Sequence, residues 1–235
     1  MGRMTRSLPK CLLKIGGMTL LDRQIHALRG AGIREIGIVT GYRRESLAAR
    51  GLKEFHNPDW ATTNMVFSLA RAQEWLSTGS CVVTYADIFY SAGAVRRILG
   101  SQAAVTLTYD PNWRILWTRR FENPLEDAET FRISRHGRIL EIGRKPKSIE
   151  EIQGQYMGLL KFTPRGWQAV ERIRSRLPPA ANRALQMTQA LDILVQAKRV
   201  GIRGLPWRGF WGEVDQIRDL QIYHQRRPKP GKGRS

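Results

Sequence analysis

Short apolar runs of strand length alternate with segments of helical period along most of this chain, and that alternation constrains the fold more than any other feature. It implies an α/β architecture with a largely parallel sheet. Thr19-Leu20-Leu21-Asp22 fits a helix-opening capping box, Leu21, Ile25 and Leu28 follow at helical spacing, and Gly30 and Gly32 stop that helix. Ile36–Val39 reads as a buried strand ending at Thr40-Gly41-Tyr42. A helix is expected from Met65 to Leu76, capped by Thr63 or Asn64, with Met65, Leu69, Ala72 and Leu76 on one face. Cys81–Ala86 is the next strand, followed by a helix over Ser91–Leu99 and a strand over Ala103–Tyr109. Trp113 to Thr130 shows no clear period. Phe131–Ser134 and Arg138–Ile142 flank a His136-Gly137 turn, and Tyr156–Phe162 reads as a further strand. Thr163-Pro164 opens a helix, Met187–Lys198 is amphipathic, Ile202–Trp207 is a late strand, and Asp215–Gln225 is a last helix.

One domain over residues 1–225 accounts for this pattern. The tail from Arg226 to Ser235 is basic and rich in Pro and Gly, too polar to bury a core, and disorder is expected there. No apolar run reaches the ~20 residues that span a bilayer, and the N-terminus lacks the apolar stretch of a signal peptide, so no membrane partner and a cytoplasmic location are expected. Cys11 and Cys81 have no paired spacing and read as reduced, packed thiols. The formal charge of +19 is compatible with a nucleic-acid surface, with attraction for a polyanionic substrate, or with a plain solvated basic surface. No helix-turn-helix, zinc or RNA-recognition signature accompanies it, so a specific nucleic-acid partner is not expected.

Two acidic residues stand out. Asp87 follows the apolar run Cys81–Ala86, and Asp215 ends the segment Phe210-Trp211-Gly212-Glu213-Val214-Asp215. Ligands of open α/β sheets bind at the carboxyl ends of strands. Two carboxylates there suit Mg²⁺, a hard cation that takes a few protein oxygens and bridges to substrate phosphates. Glu213, two residues before Asp215, points to the same side of an extended strand and is a third candidate ligand or a salt-bridge partner. Lys10, stiffened by Pro9, is a suitable point charge for a triphosphate. His26, His56, His136 and His224 are scattered without ligand spacing.

Several blocks resemble nucleotidyltransferases of the nucleoside-diphospho-sugar and phosphocholine cytidylyltransferase type. They are Thr5–Leu21, including Leu8-Pro9-Lys10; Gly32–Tyr42; Asn57-Pro58-Asp59-Trp60; Thr63–Leu69; Tyr85-Ala86-Asp87; Gly154–Gly158; and Trp211–Asp215. The resemblance spans about residues 1 to 222, and the Asn64/Ser68 block with Glu213-Val214-Asp215 is closest to enzymes acting on phosphocholine or phosphonates. It implies a Rossmann-like, glycosyltransferase-A-like, mostly parallel sheet with flanking helices. It also implies Mg²⁺-dependent transfer of CMP from CTP to a phosphate or phosphonate acceptor, with release of pyrophosphate. Lys10, Asp87 and Asp215 would be catalytic, Asp87, Asp215 and Glu213 would hold metal, and Asn64 and Ser68 would contact the nucleotide. Arg144, Lys145, Gln155 and Tyr156 would face the acceptor. The family pattern opens with an apolar strand and a glycine-rich, arginine-bearing turn. Met1-Gly2-Arg3-Met4-Thr5 aligns only with the tail of that turn, so the fold is expected to lack its first strand, its true start to lie upstream, and CTP binding to be weak. The alternatives are a sugar-1-phosphate enzyme using UTP, dTTP or GTP, a basic nucleic-acid-binding module, and a catalytically dead homologue. The acceptor and the oligomeric state are not legible.

Overall fold

The computed structural model describes residues 8–224. The basic tail, expected to be disordered, lies outside them. The first elements are a β1–β2 hairpin (Lys14–Ile15, Met18–Thr19), α1 (Leu20–Gly30), β3 (Gly37–Thr40) and β4 (Lys53–His56). Then come α2 (Met65–Leu69) and α3 (Gln73–Thr78), joined by a 3₁₀ turn over Ala70–Ala72, followed by β5 (Cys81–Thr84), β6 (Ile88–Tyr90), α4 (Ala92–Leu99) and β7 (Val105–Asp110). Next are α5 (Trp113–Arg120), β8 (Phe131–Ile133), β9 (Ile139–Ile142), β10 (Gln155–Phe162), α6 (Pro164–Arg174), α7 (Pro179–Ala184) and α8 (Met187–Ala197). The described chain closes with β11 (Ile202–Pro206), β12 (Trp211–Glu213) and α9 (Ile217–His224).

The central sheet has the order β11-β7-β10-β5. β11 runs parallel to β7, while β10 is antiparallel to both β7 and β5. Three of the four strands therefore share one direction, and β10 is inserted against them. β3 and β4 form a separate parallel pair. Along β10 the side chains alternate between two cores. Leu159 enters the cluster built on α1, α4 and α5, and Leu160 the cluster built on α3, α6 and α8. Each such fully buried side chain contributes about 1.5–3 kcal/mol.

The caps read from the sequence are present. Thr19 accepts from the Asp22 N–H at 3.0 Å and Thr163 from the Gly166 N–H at 3.2 Å. β1, β2, β4, β6, α5 and α7 were not read from the sequence. β6 has three residues, all buried, too few to display a period. α5 places Trp113, Leu116, Trp117 and Arg120 inward at helical spacing, and a charged side chain in that seam conceals the apolar repeat.

Cys11 and Cys81 are unpaired thiols. Burial pushes the Cys11 thiol up to about 11. The thiolate is the reacting species, so the alkylation rate of native Cys11 should keep rising through pH 9–10. At pH 8 it should lie well below the rate in urea, as peptide mapping after maleimide labelling would measure.

Candidate active site

Asp87 is placed by three backbone anchors. Gln24 of α1 is buried and donates from Nε2 to the carbonyls of Tyr85 (2.8 Å) and Ile88 (2.6 Å), straddling the turn. The Tyr85 N–H donates to the Gly158 carbonyl, and the Val214 N–H to the Asp87 carbonyl, each at 2.9 Å. Gly158 sits where the β10–β7 register shifts, at φ +76°, and a Cβ there would meet the Tyr85 ring at 2.9 Å. Gly158→Ala should therefore destabilise the protein by about 2 kcal/mol or more, read as a lower urea midpoint, because both backbone strain and a close contact oppose it.

Asp215 is brought to Asp87 by the antiparallel β6–β12 pair, in which Glu213 lies opposite Ile88. The two carboxylates share one ammonium. Lys10 Nζ is 3.4 Å from Asp87 Oδ2 and 3.0 Å from Asp215 Oδ1. Burial by itself would lower the Lys10 pKa, but the two carboxylates outweigh it and hold it above the ordinary lysine value. Burial raises the Asp87 carboxyl against the pull of Lys10, and the negative charge of Asp215 adds to the rise.

Behind this cluster lies a residue that the sequence reading missed. The Arg120 side chain is fully buried and forks onto three acids. Nη1 reaches Glu213 Oε2 at 2.8 Å, Nη2 reaches Asp215 Oδ2 at 2.8 Å, and Nε reaches Asp219 Oδ1 at 3.1 Å. Its guanidinium also lies 5.2 Å from the centroids of the Trp117 and Phe121 rings. Asp219 in turn accepts from the N–H groups of Asp215 and Gln216 at 2.8 Å each, closing the start of α9. Burial and the neighbouring Asp215 push the Glu213 carboxyl up to about 8, against the pull of Arg120. The i, i+3, i+4, i+7 spacing of Trp113, Leu116, Trp117 and Arg120 was the available signal.

The donor set suits a hard cation. Asp87 Oδ1 is buried and has no hydrogen-bond partner among the described residues, a cost that a bound cation would remove. Among the described residues no three acidic, Cys or His side chains converge as a metal cage. Mg²⁺ does not need one, since substrate phosphates and water complete its shell. Glu213, expected as a third ligand, spends Oε2 on Arg120.

The remaining expected site residues are dispersed in their partners. Asn64 Oδ1 accepts from the Met65 N–H at 2.8 Å, a helix-capping duty. Ser68 accepts from buried Asn57 at 3.0 Å and lines the groove that also holds Lys10 and Asp87. Arg144 pairs with Asp192 at 2.9 Å, and Lys145 Nζ donates to the Glu126 carbonyl at 2.8 Å, and both side chains are exposed. Gln155 donates to the Glu129 carbonyl at 2.9 Å, and Tyr156 meets Tyr85 edge to face at 5.7 Å.

The site is thus a mixed α/β sheet with two carboxylates and a lysine beyond the strand ends. The MobA-like NTP transferase domain matches residues 2–194, and the chain belongs to that family. It is therefore an enzyme, a nucleotidyltransferase. It is 31% identical to the CTP:phosphoglutamine cytidylyltransferase of Campylobacter jejuni, over 93% of this chain and 92% of that protein. It is also 31% identical to the bifunctional IPC transferase and DIPP synthase of Rubrobacter xylanophilus, over 71% of this chain and 36% of that protein. In fold it is similar to the inositol-1-phosphate CTP transferase from T. maritima, with a TM-score of 0.72 and 14% identity, covering 94% of this chain and 86% of that one.

Proposed function

We propose that this enzyme transfers CMP from CTP to a small acceptor bearing a phosphate or phosphonate, releasing pyrophosphate. The carrying observation is the Lys10 ammonium seated between Asp87 and Asp215, beside an unpartnered Asp87 oxygen. The resemblance to a cytidylyltransferase over nearly the whole length supports CTP as donor.

In the reaction an acceptor oxygen forms a bond to the α-phosphorus as the bond from that phosphorus to the β-bridging oxygen breaks, and pyrophosphate carries away the electron pair. Such an in-line displacement needs positioning and charge neutralisation rather than a covalent enzyme intermediate. Asp87 and Asp215 would hold Mg²⁺, which supplies Lewis-acid neutralisation of the phosphate oxygens when bound. Lys10 supplies a positive charge to the triphosphate. Gln24 and Arg120 keep the two carboxylates facing each other.

Pyrophosphate release should be measured with CTP, UTP, dTTP and GTP, each against phosphocholine, a phosphonate, an amide phosphate and a sugar 1-phosphate. CTP should exceed the other nucleotides by about tenfold or more, equivalent to roughly 1.4 kcal/mol of discrimination. A preference for UTP or dTTP with a sugar 1-phosphate would replace this reading with a sugar-nucleotide one.

A further inference from the structure

Three guanidinium groups converge on one aromatic ring away from the catalytic acids. Arg71 lies 4.9 Å, Arg183 5.4 Å and Arg174 5.8 Å from the centroid of the Phe67 ring. Met65, Ser68 and Leu69 line the groove that holds Lys10 and Asp87, whereas Phe67 and Arg71, one helical turn apart, do not. The cluster therefore lies on the outer side of this segment, against the last residue of α6, Arg174, and against Arg183 of α7.

Each arginine is held in position by the fold. Arg71 Nη2 reaches Asp59 Oδ2 at 3.1 Å, and Arg183 Nη2 reaches the other oxygen of that carboxylate at 3.5 Å and the Thr62 hydroxyl at 2.8 Å. Arg174 Nε donates to Asn182 Oδ1 at 3.1 Å, and its Nη1 meets Glu171. Asp59 is steadied in turn by Asn57, whose Oδ1 accepts from the Asp59 N–H at 3.1 Å. Three positive charges thus face two carboxylates, one of which serves two of them. Arg172 and Arg176, exposed two positions either side of Arg174, add charge to the same helix end. Arg71 Nε is buried and has no hydrogen-bond partner among the described residues.

The face of an aromatic ring offsets part of the repulsion between such groups. The surplus positive charge and the orphaned donor remain, and both favour an anion. Planar guanidinium forks fixed in advance match the oxygens of a phosphate. We infer that Arg71, Arg174 and Arg183 around Phe67 form a binding site, outside the catalytic groove, for a small oxyanion of the phosphate class. Asp59 competes for the same N–H donors and so sets the affinity of the site. The inference does not depend on the proposed donor or acceptor.

The test is calorimetric titration of the full chain with inorganic phosphate and with pyrophosphate, in EDTA, with circular dichroism to check each fold. The parent should bind both saturably. The double variant Arg174→Gln/Arg183→Gln should bind about tenfold or more weakly, while Lys10→Gln, altered at the catalytic carboxylates, should match the parent. Arg174→Lys/Arg183→Lys keeps the charges if the glutamine variant fails to fold, and it too should bind more weakly, because an ammonium cannot fork onto an oxyanion. Asp59→Asn should bind phosphate more tightly, by about threefold or more, since it removes the competing charge. A latch that only held the fold would lose stability there and gain no affinity. Absence of saturable binding in the parent, no weakening in the arginine variants, loss of binding in Lys10→Gln, or no gain in Asp59→Asn would overturn the inference. A single-stranded oligonucleotide held more tightly than either small anion through the same arginines would overturn the ligand class.

Discussion

Asp87→Asn should lower turnover by roughly 10³-fold or more while leaving the fold intact. The amide has nearly the shape of the carboxylate but none of its charge, so the substitution separates charge from packing. Asp87 faces Lys10 directly and has an unpartnered second oxygen, and Asp215, the other carboxylate on that ammonium, is already engaged by Arg120. Asp215→Asn should act in the same direction, and the double variant should be little worse than either single one, as expected for groups that serve one ion. Chelation with EDTA should abolish activity in the parent, and added Mg²⁺ should restore it. Pyrophosphate release and the circular dichroism spectrum report the two sides. Retention of more than a tenth of parental turnover by Asp87→Asn would remove this carboxylate from the chemistry.

Arg120→Met should be the most destabilising single change at the site. It keeps the stem but leaves Glu213, Asp215 and Asp219 facing one another, with Asp219 almost wholly buried. Removing one partner of a buried ion pair costs about 3–5 kcal/mol, because the remaining charges stay desolvated. For a chain of this size each kcal/mol lowers Tm by about 2–4 °C, so a fall of roughly 6–20 °C is expected by calorimetry. Arg120→Lys should recover only part of it. An ammonium is a point charge, and it can neither fork onto three acids nor stack between Trp117 and Phe121. A Tm within 2 °C of the parent for Arg120→Met would show that the acids do not depend on this guanidinium.

The charge of +19 does not single out the site. Arg120 is one of 39 basic residues, and nothing in composition separates it from the others. What separates it is burial and three carboxylate partners drawn from a segment more than 90 positions away.

Local chemistry fixed a good share of the molecule in advance. The Thr19 and Thr163 caps, the Gly137 turn between β8 and β9, and the helices α1, α4, α6 and α8 follow from propensities and periods that act within a few residues. Asp87, Asp215 and Lys10 were singled out from strand ends, a proline-stiffened lysine and a family resemblance, and the fold brings both carboxylates within 3.4 Å of the one ammonium. Long-range pairing decided the rest. β10 had to be seen against β5 and β7 to be recognised as antiparallel, since an eight-residue buried run reads the same in either direction. The partners of Arg144 and Lys145, Asp192 and a carbonyl of the Pro124–Glu126 turn, were not legible in sequence. The guanidinium behind the two acids is in place only once distant segments are folded together. Backbone hydrogen bonds and ion pairs are satisfied by whatever lies nearby in space, and sequence separation does not enter that contest.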